Sequence, residues 1–149
     1  MSTDQDVTKD LIETLEDGKD GFAKAAEKLV ETDAPELAVT FRQFSEQRAA
    51  FAAELTAMAA SYGDRIDESG SVAAAVHRGW MGLKDALAGS DSEGVLDAAE
   101  GGEDHVLKEY DKALDADISP ELRTVVERQR ADVQAAHDTV RSLRDAHSA

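Results

Sequence analysis

The sequence predicts an all-α protein built as a bundle of long helices. Three observations predict it. Alanine is abundant and β-branched residues are sparse, which favours helix over sheet. Apolar residues recur in alternating steps of four and three, the spacing of a helix seam. Turn-forming residues cluster at a few points and are scarce between them.

The elements follow in order. The first helix is expected from about Asp4 to Glu31, with Leu11, Leu15, Gly18, Phe22, Ala25 and Leu29 on one seam. Asp33-Ala34-Pro35 ends it. The second runs from about Pro35 to Tyr62, with Leu37, Phe41, Phe44, Arg48, Phe51, Leu55, Met58 and Tyr62. Tyr62-Gly63-Asp64 and Ser69-Gly70-Ser71 bracket the next break. A shorter third helix is expected from about Ser71 to Ala88, carrying Val72, Val76, Gly79, Leu83 and Ala86. After Gly89-Ser90-Asp91, a fourth runs from about Ser92 to Asp115, with Leu96, Glu100, Glu103, Leu107, Tyr110 and Leu114. Asp117-Ile118-Ser119-Pro120 is a helix start, with Ser119 as N-cap and Pro120 at the first helical position. The fifth helix then extends to about Ala146 through Leu122, Val126, Gln129, Val133, Ala136, Val140 and Leu143.

Four of these are long, at roughly 36–42 Å. If the short third helix carries the chain back along the bundle, the second and fourth run parallel. That is the ferritin-like, up-down-down-up four-helix bundle with a helical crossover, five helices in all; the competing arrangement is a five-helix array or a swapped dimer. A single domain over 1–149 fits the length, with 1–5 and 146–149 frayed.

Charge and composition exclude several functions. There are 32 Asp+Glu against 16 Lys+Arg, a formal net charge of −16, and no Cys. A disulfide scaffold and a thiolate metal site are ruled out. Nucleic acid is not an expected partner, because a phosphate backbone calls for a basic face. The polar, acidic start MSTDQDVTKD is unlike a signal peptide. No apolar run approaches the roughly 20 residues that span a bilayer, so no membrane partner and a cytoplasmic location are expected.

Three polar residues interrupt the seams: Arg48, Glu103 and Gln129. Arg and Glu are seldom buried unless paired. Counting along the helices puts Arg48 and Glu103 at one height, with Gly18 opposite and Gln134 and His137 flanking. The expectation is a buried polar layer holding an Arg48–Glu103 pair, with Gly18 leaving room for the guanidinium. Gln129 is expected a turn away as a separate hydrogen-bonded core residue. The alternative is that both charges reach solvent along their stems.

The same level is where a ferritin-like bundle builds a carboxylate metal centre from Glu residues and E-x-x-H pairs. Here the candidates are Glu103, His137, Gln134 and Glu16. Gln134 stands in Gln134-Ala-Ala-His137 where a Glu belongs, and Arg48 places a cation where a metal would sit. The pattern reads as a degenerate site emptied of metal. No cofactor is expected, iron or manganese being the metals to test. His77 reads as a partly exposed residue and His147 as part of a frayed tail. His105 points away from Glu103 on the helix. No Ser-His-Asp arrangement and no phosphate loop appears. Gly101-Gly102 reads as a place for close helix packing or a kink.

Several stretches are distinctive: Gly70-Ser-Val-Ala-Ala-Ala-Val-His-Arg-Gly-Trp-Met-Gly-Leu-Lys84, Leu11-Ile-Glu-Thr-Leu-Glu-Asp-Gly18, Phe51-Ala-Ala-Glu-Leu55, Gly102-Glu-Asp104 and Ala136-His-Asp138. With them the chain resembles, over about residues 6–145, the bacterial ferritin-like four-helix-bundle family known as domain of unknown function 2383. The resemblance implies the ferritin-like fold. It implies no catalytic residues. Relatives in the wider superfamily bind iron or manganese, and this sequence departs from their E-x-x-H pairs at Arg48 and Gln134.

Two functions compete. One is a non-catalytic, stress-related bundle, homodimer or monomer, that acts by association through Ala-rich faces and the crossover helix with Trp80 and Met81; the alternative for Trp80 is packing within the chain. The other is a metal-dependent oxidase or iron-handling protein using Glu103 and His137.

Overall fold

The structure is a computed structural model that describes residues 3–61 and 92–147. These residues form four α-helices and no strand: α1 (Thr3–Leu29), α2 (Leu37–Ser61), α3 (Ser92–Asp115) and α4 (Pro120–His147). The all-α class holds, and the expected five helices are corrected to four among the described residues. The expected helix over 71–88 lies outside the described residues, with its Val72, Val76, Gly79, Leu83 and Ala86, and so do His77, Trp80 and Met81.

Local chemistry sets the ends. Thr32 Oγ1 donates to Leu29 O at 2.7 Å and accepts from Ala34 N at 3.2 Å, which folds the α1–α2 turn. Ser119 Oγ accepts from Leu122 N at 3.3 Å, and Arg123 N donates to Ser119 O at 2.9 Å, so Ser119 caps α4 above Pro120. The Arg123 guanidinium reaches back to Leu114 O (2.9 Å) and Ala116 O (3.2 Å), satisfying the carbonyl end of α3. Asp4 Oδ1 accepts from Ser119 N at 2.8 Å. The start of α1 is thereby tied to the α3–α4 turn, and residues 3–5 are helical where fraying was expected.

The core divides into two apolar clusters, one towards each end of the bundle. One joins Phe22, Ala25 and Leu29 of α1 to Leu37 and Phe41 of α2, Val95, Leu96 and Ala99 of α3, and Val140 of α4. The other joins Leu11 and Leu15, Phe51 and Leu55, Val106 and Tyr110, and Leu122, Val126 and Val133. Cluster membership fixes direction: α1 and α4 run one way, α2 and α3 the other. On α3 the expected seam residues Leu96, Glu100, Glu103 and Tyr110 are buried, and the seam departs from expectation at two positions, each by one residue. Val106 and Ala113 are buried, whereas Leu107 and Leu114 are only partly so. A straight helix drifts against a strict seven-residue repeat, and over 24 residues that drift is enough to change which neighbour faces inward. No helix among the described residues is long and apolar enough to cross a membrane.

Candidate functional site

A polar layer crosses the bundle between the two apolar clusters. On α1 it falls at Gly18, between Leu15 and Phe22, which belong to different clusters. On α2 it falls at Arg48, between Phe44 and Phe51. On α3 it falls at Glu103, between Ala99 and Val106, and on α4 at His137, between Val133 and Val140.

Arg48 and Glu103 are both 0% exposed and form the centre of the layer. Arg48 Nη1 donates to Glu103 Oε1 at 2.5 Å, and Nη2 donates to Oε2 at 2.7 Å. This two-pronged geometry matches the planar fork to both carboxylate oxygens. Arg48 Nε donates to Gln47 Oε1 at 3.1 Å. The guanidinium carbon lies 5.2 Å from the Phe22 ring centroid, a cation–π contact made away from water. Phe22 is itself held by Phe41 and Phe44, with ring centroids 5.4 and 5.3 Å away. Ser45 Oγ donates to Lys19 O at 2.9 Å, which anchors α2 to the backbone of α1 beside Gly18.

Gly18 faces Arg48, but the glycine is not required for space. A Cβ there would lie 3.7 Å from Arg48 Cγ and 3.8 Å from Nη1, ordinary contact distances. A Cβ on Gly101 would meet nothing within 4 Å, so close packing does not explain that glycine.

A second network, buried at Tyr110 and Gln129 and reaching the surface at Glu54 and Arg128, lies next to the pair. Tyr110 Oη donates to Gln129 Oε1 at 2.8 Å. Gln129 Nε2 donates to Glu54 Oε1 at 2.9 Å and to Phe51 O at 3.4 Å, and Arg128 pairs with Glu54. The network ties α2, α3 and α4 together. Burial pushes the Tyr110 phenol well above its ordinary range; the Arg48 charge opposes that shift, and Glu103 and Glu54 add to it.

The four candidate metal ligands do not converge. Both oxygens of Glu103 are held by Arg48. His137 is 6% exposed, and its Nε2 lies 2.8 Å from Asp104 Oδ1 and its Nδ1 3.4 Å from Asp138 Oδ1. Gln134 Nε2 donates to Asp138 Oδ1 at 3.0 Å. Glu16 pairs with Lys19 at 2.7 Å in a half-exposed i,i+3 bridge. Asp138 is held below the usual carboxylate range by its hydrogen bonds to Gln134 and His137. The other seam carboxylate, Glu100, is taken by Arg141 Nε at 3.1 Å and by Arg144. No group of three or more His, Asp or Glu among the described residues could hold a metal ion. Among the described residues, these four candidates therefore do not form the dinuclear donor set of a ferritin-like bundle.

Sequence spacing alone misses Gln47, Glu54, Asp104 and Asp138. Asp104 and Asp138 sit one residue after a layer position, Gln47 sits one before Arg48, and Glu54 one before Leu55. Each reaches the network from the rim of its helix, and seam spacing carries no signal for a rim residue.

No curated protein matches the chain. One family profile matches residues 5–116, a span that takes in α1, α2 and α3 apart from the first residues of α1, and with them both partners of the Arg48–Glu103 pair. A match over so much of the chain places the protein in that family: it belongs to the domain of unknown function DUF2383.

Proposed function

We propose that the protein is a non-catalytic helical bundle that works by association, and that its centre is closed by an internal cation in place of a metal. The observation that carries this reading is the two-pronged Arg48–Glu103 pair at 0% exposure. A fixed guanidinium neutralises the Glu103 carboxylate and binds both of its oxygens. A divalent metal would have to displace that cation before it reached Glu103, and the neighbouring donors are each held by a partner of their own.

Kinship with ferritin-like bundles is part of the reading. It is supported by two helical hairpins whose inner helices, α2 and α3, run in the same direction, and by a polar layer at mid-height. On this view the layer keeps the position of a metal centre and has lost its chemistry.

Metal content tests the proposal. Protein expressed with added iron or manganese should hold far less than one metal per chain. Stoichiometric metal that Glu103→Ala abolishes would overturn it and favour the metal-dependent oxidase or iron-handling reading. Light scattering tests the association. A dimer mass is expected, and a monomer across the working concentration range would remove that half of the proposal.

A further inference from the structure

The layer recognises its cation by features that do not depend on the chain that carries it. Glu103 presents two oxygens in one plane, at the spacing of two guanidinium nitrogens. Gln47 Oε1 accepts from a third nitrogen of the same plane. Phe22 offers its ring 5.2 Å from the central carbon, buttressed by two further rings. Arg48, Glu103 and Phe22 are each 0% exposed, and Gln47 is half-buried at the edge of the site. A carboxylate fork, an amide oxygen and an aromatic face together select a planar, delocalised, weakly hydrated cation over a compact ammonium.

We propose that the centre of the bundle is a guanidinium-binding site whose resident ligand is Arg48, and that the chain lacking this side chain captures a guanidinium ion from solution. This rests on the reading that an internal cation closes the layer. Truncation at Arg48 leaves the Glu103 carboxylate buried and uncompensated, with a void where the methylene stem ran. An alkylguanidinium replaces both the charge and the stem, and the free ion replaces the charge alone. Ethylguanidinium should therefore bind better than guanidinium, and methylammonium worse than either.

The test uses full-length Arg48→Ala. Thermal unfolding is followed in about 10 mM ethylguanidinium chloride, guanidinium chloride, methylammonium chloride or sodium chloride, far below denaturing concentrations. Ethylguanidinium should raise the Tm of Arg48→Ala by about 3 °C or more over sodium chloride, with guanidinium intermediate. Wild type and Arg48→Met/Glu103→Leu should not respond, because one site is filled and the other has lost its carboxylate. The proposal is overturned by no shift in Arg48→Ala, by the same shift in all three proteins, or by methylammonium matching ethylguanidinium. If Arg48→Ala does not fold alone, refolding from urea gives the readout. Recovery of helical signal with ethylguanidinium but not methylammonium supports the site, and no recovery overturns it. Wild-type metal content is measured separately. A metal-free wild type beside an unresponsive Arg48→Ala would remove this inference and leave the proposed function standing.

Discussion

Arg48 is a large, fully buried side chain with a permanent charge. Its burial is tolerable only because Glu103, Gln47 and Phe22 together replace much of what water supplied. Tyr110, one turn beyond Val106, shows the same environment from its other side. Burial holds its phenol protonated beyond the range of an exposed tyrosine. Below about pH 10 the folded and unfolded chains both keep that proton, so this group contributes no pH dependence. Above it the unfolded chain releases the proton and the folded chain retains it, so stability falls as pH rises. Urea midpoints at about pH 9 and 11 should therefore drop more in wild type than in Tyr110→Phe. Equal drops would show that Tyr110 ionises without unfolding.

At the scale of the helix, the four seams are legible because each apolar stripe keeps its four-three steps past a cap or a proline. The height of Arg48 and of Glu103 is legible for the same reason, since counting from the turns fixes position along an axis. Rotation about the axis is not. It decides that Val106 faces inward ahead of Leu107, and that rim residues such as Asp104 and Glu54 reach across to His137 and Gln129. Spacing at Gly18 and Gly101 suggests tight contacts that the geometry does not show. Both lie inside helices, where glycine costs about 0.5–1 kcal/mol relative to alanine. Gly101→Ala should stabilise the protein by about that amount in urea unfolding, and Gly18→Ala should be neutral to stabilising. A loss above about 1 kcal/mol in Gly18→Ala would show that the guanidinium needs the space after all.

Over the whole molecule the charge is unevenly shared. α1 carries eight Asp and Glu against four Lys, and α3 eight against two, whereas α2 and α4 each carry equal numbers of acidic and basic residues. The two acidic helices share one packed side of the bundle, with Leu11 of α1 in the same cluster as Val106 and Tyr110 of α3. Like charges across that side repel, and salt screens them: the screening length falls from about 10 Å at 0.1 M to about 3 Å at 1 M. The Tm should therefore rise with sodium chloride over that range. A Tm that falls would mean that exposed ion pairs such as Arg130–Asp111 outweigh the net repulsion.

The Arg48–Glu103 pair belongs to this scale as well, because it joins the α1–α2 hairpin to the α3–α4 hairpin through the core. A double-mutant cycle in urea with Arg48→Met, Glu103→Leu and the combined variant tests it most directly. Each single change should cost about 3–5 kcal/mol by leaving one buried charge unpaired, and the combined variant should recover most of that loss. Single losses that simply add, or single variants as stable as wild type, would contradict a bundle closed by its own buried ion pair.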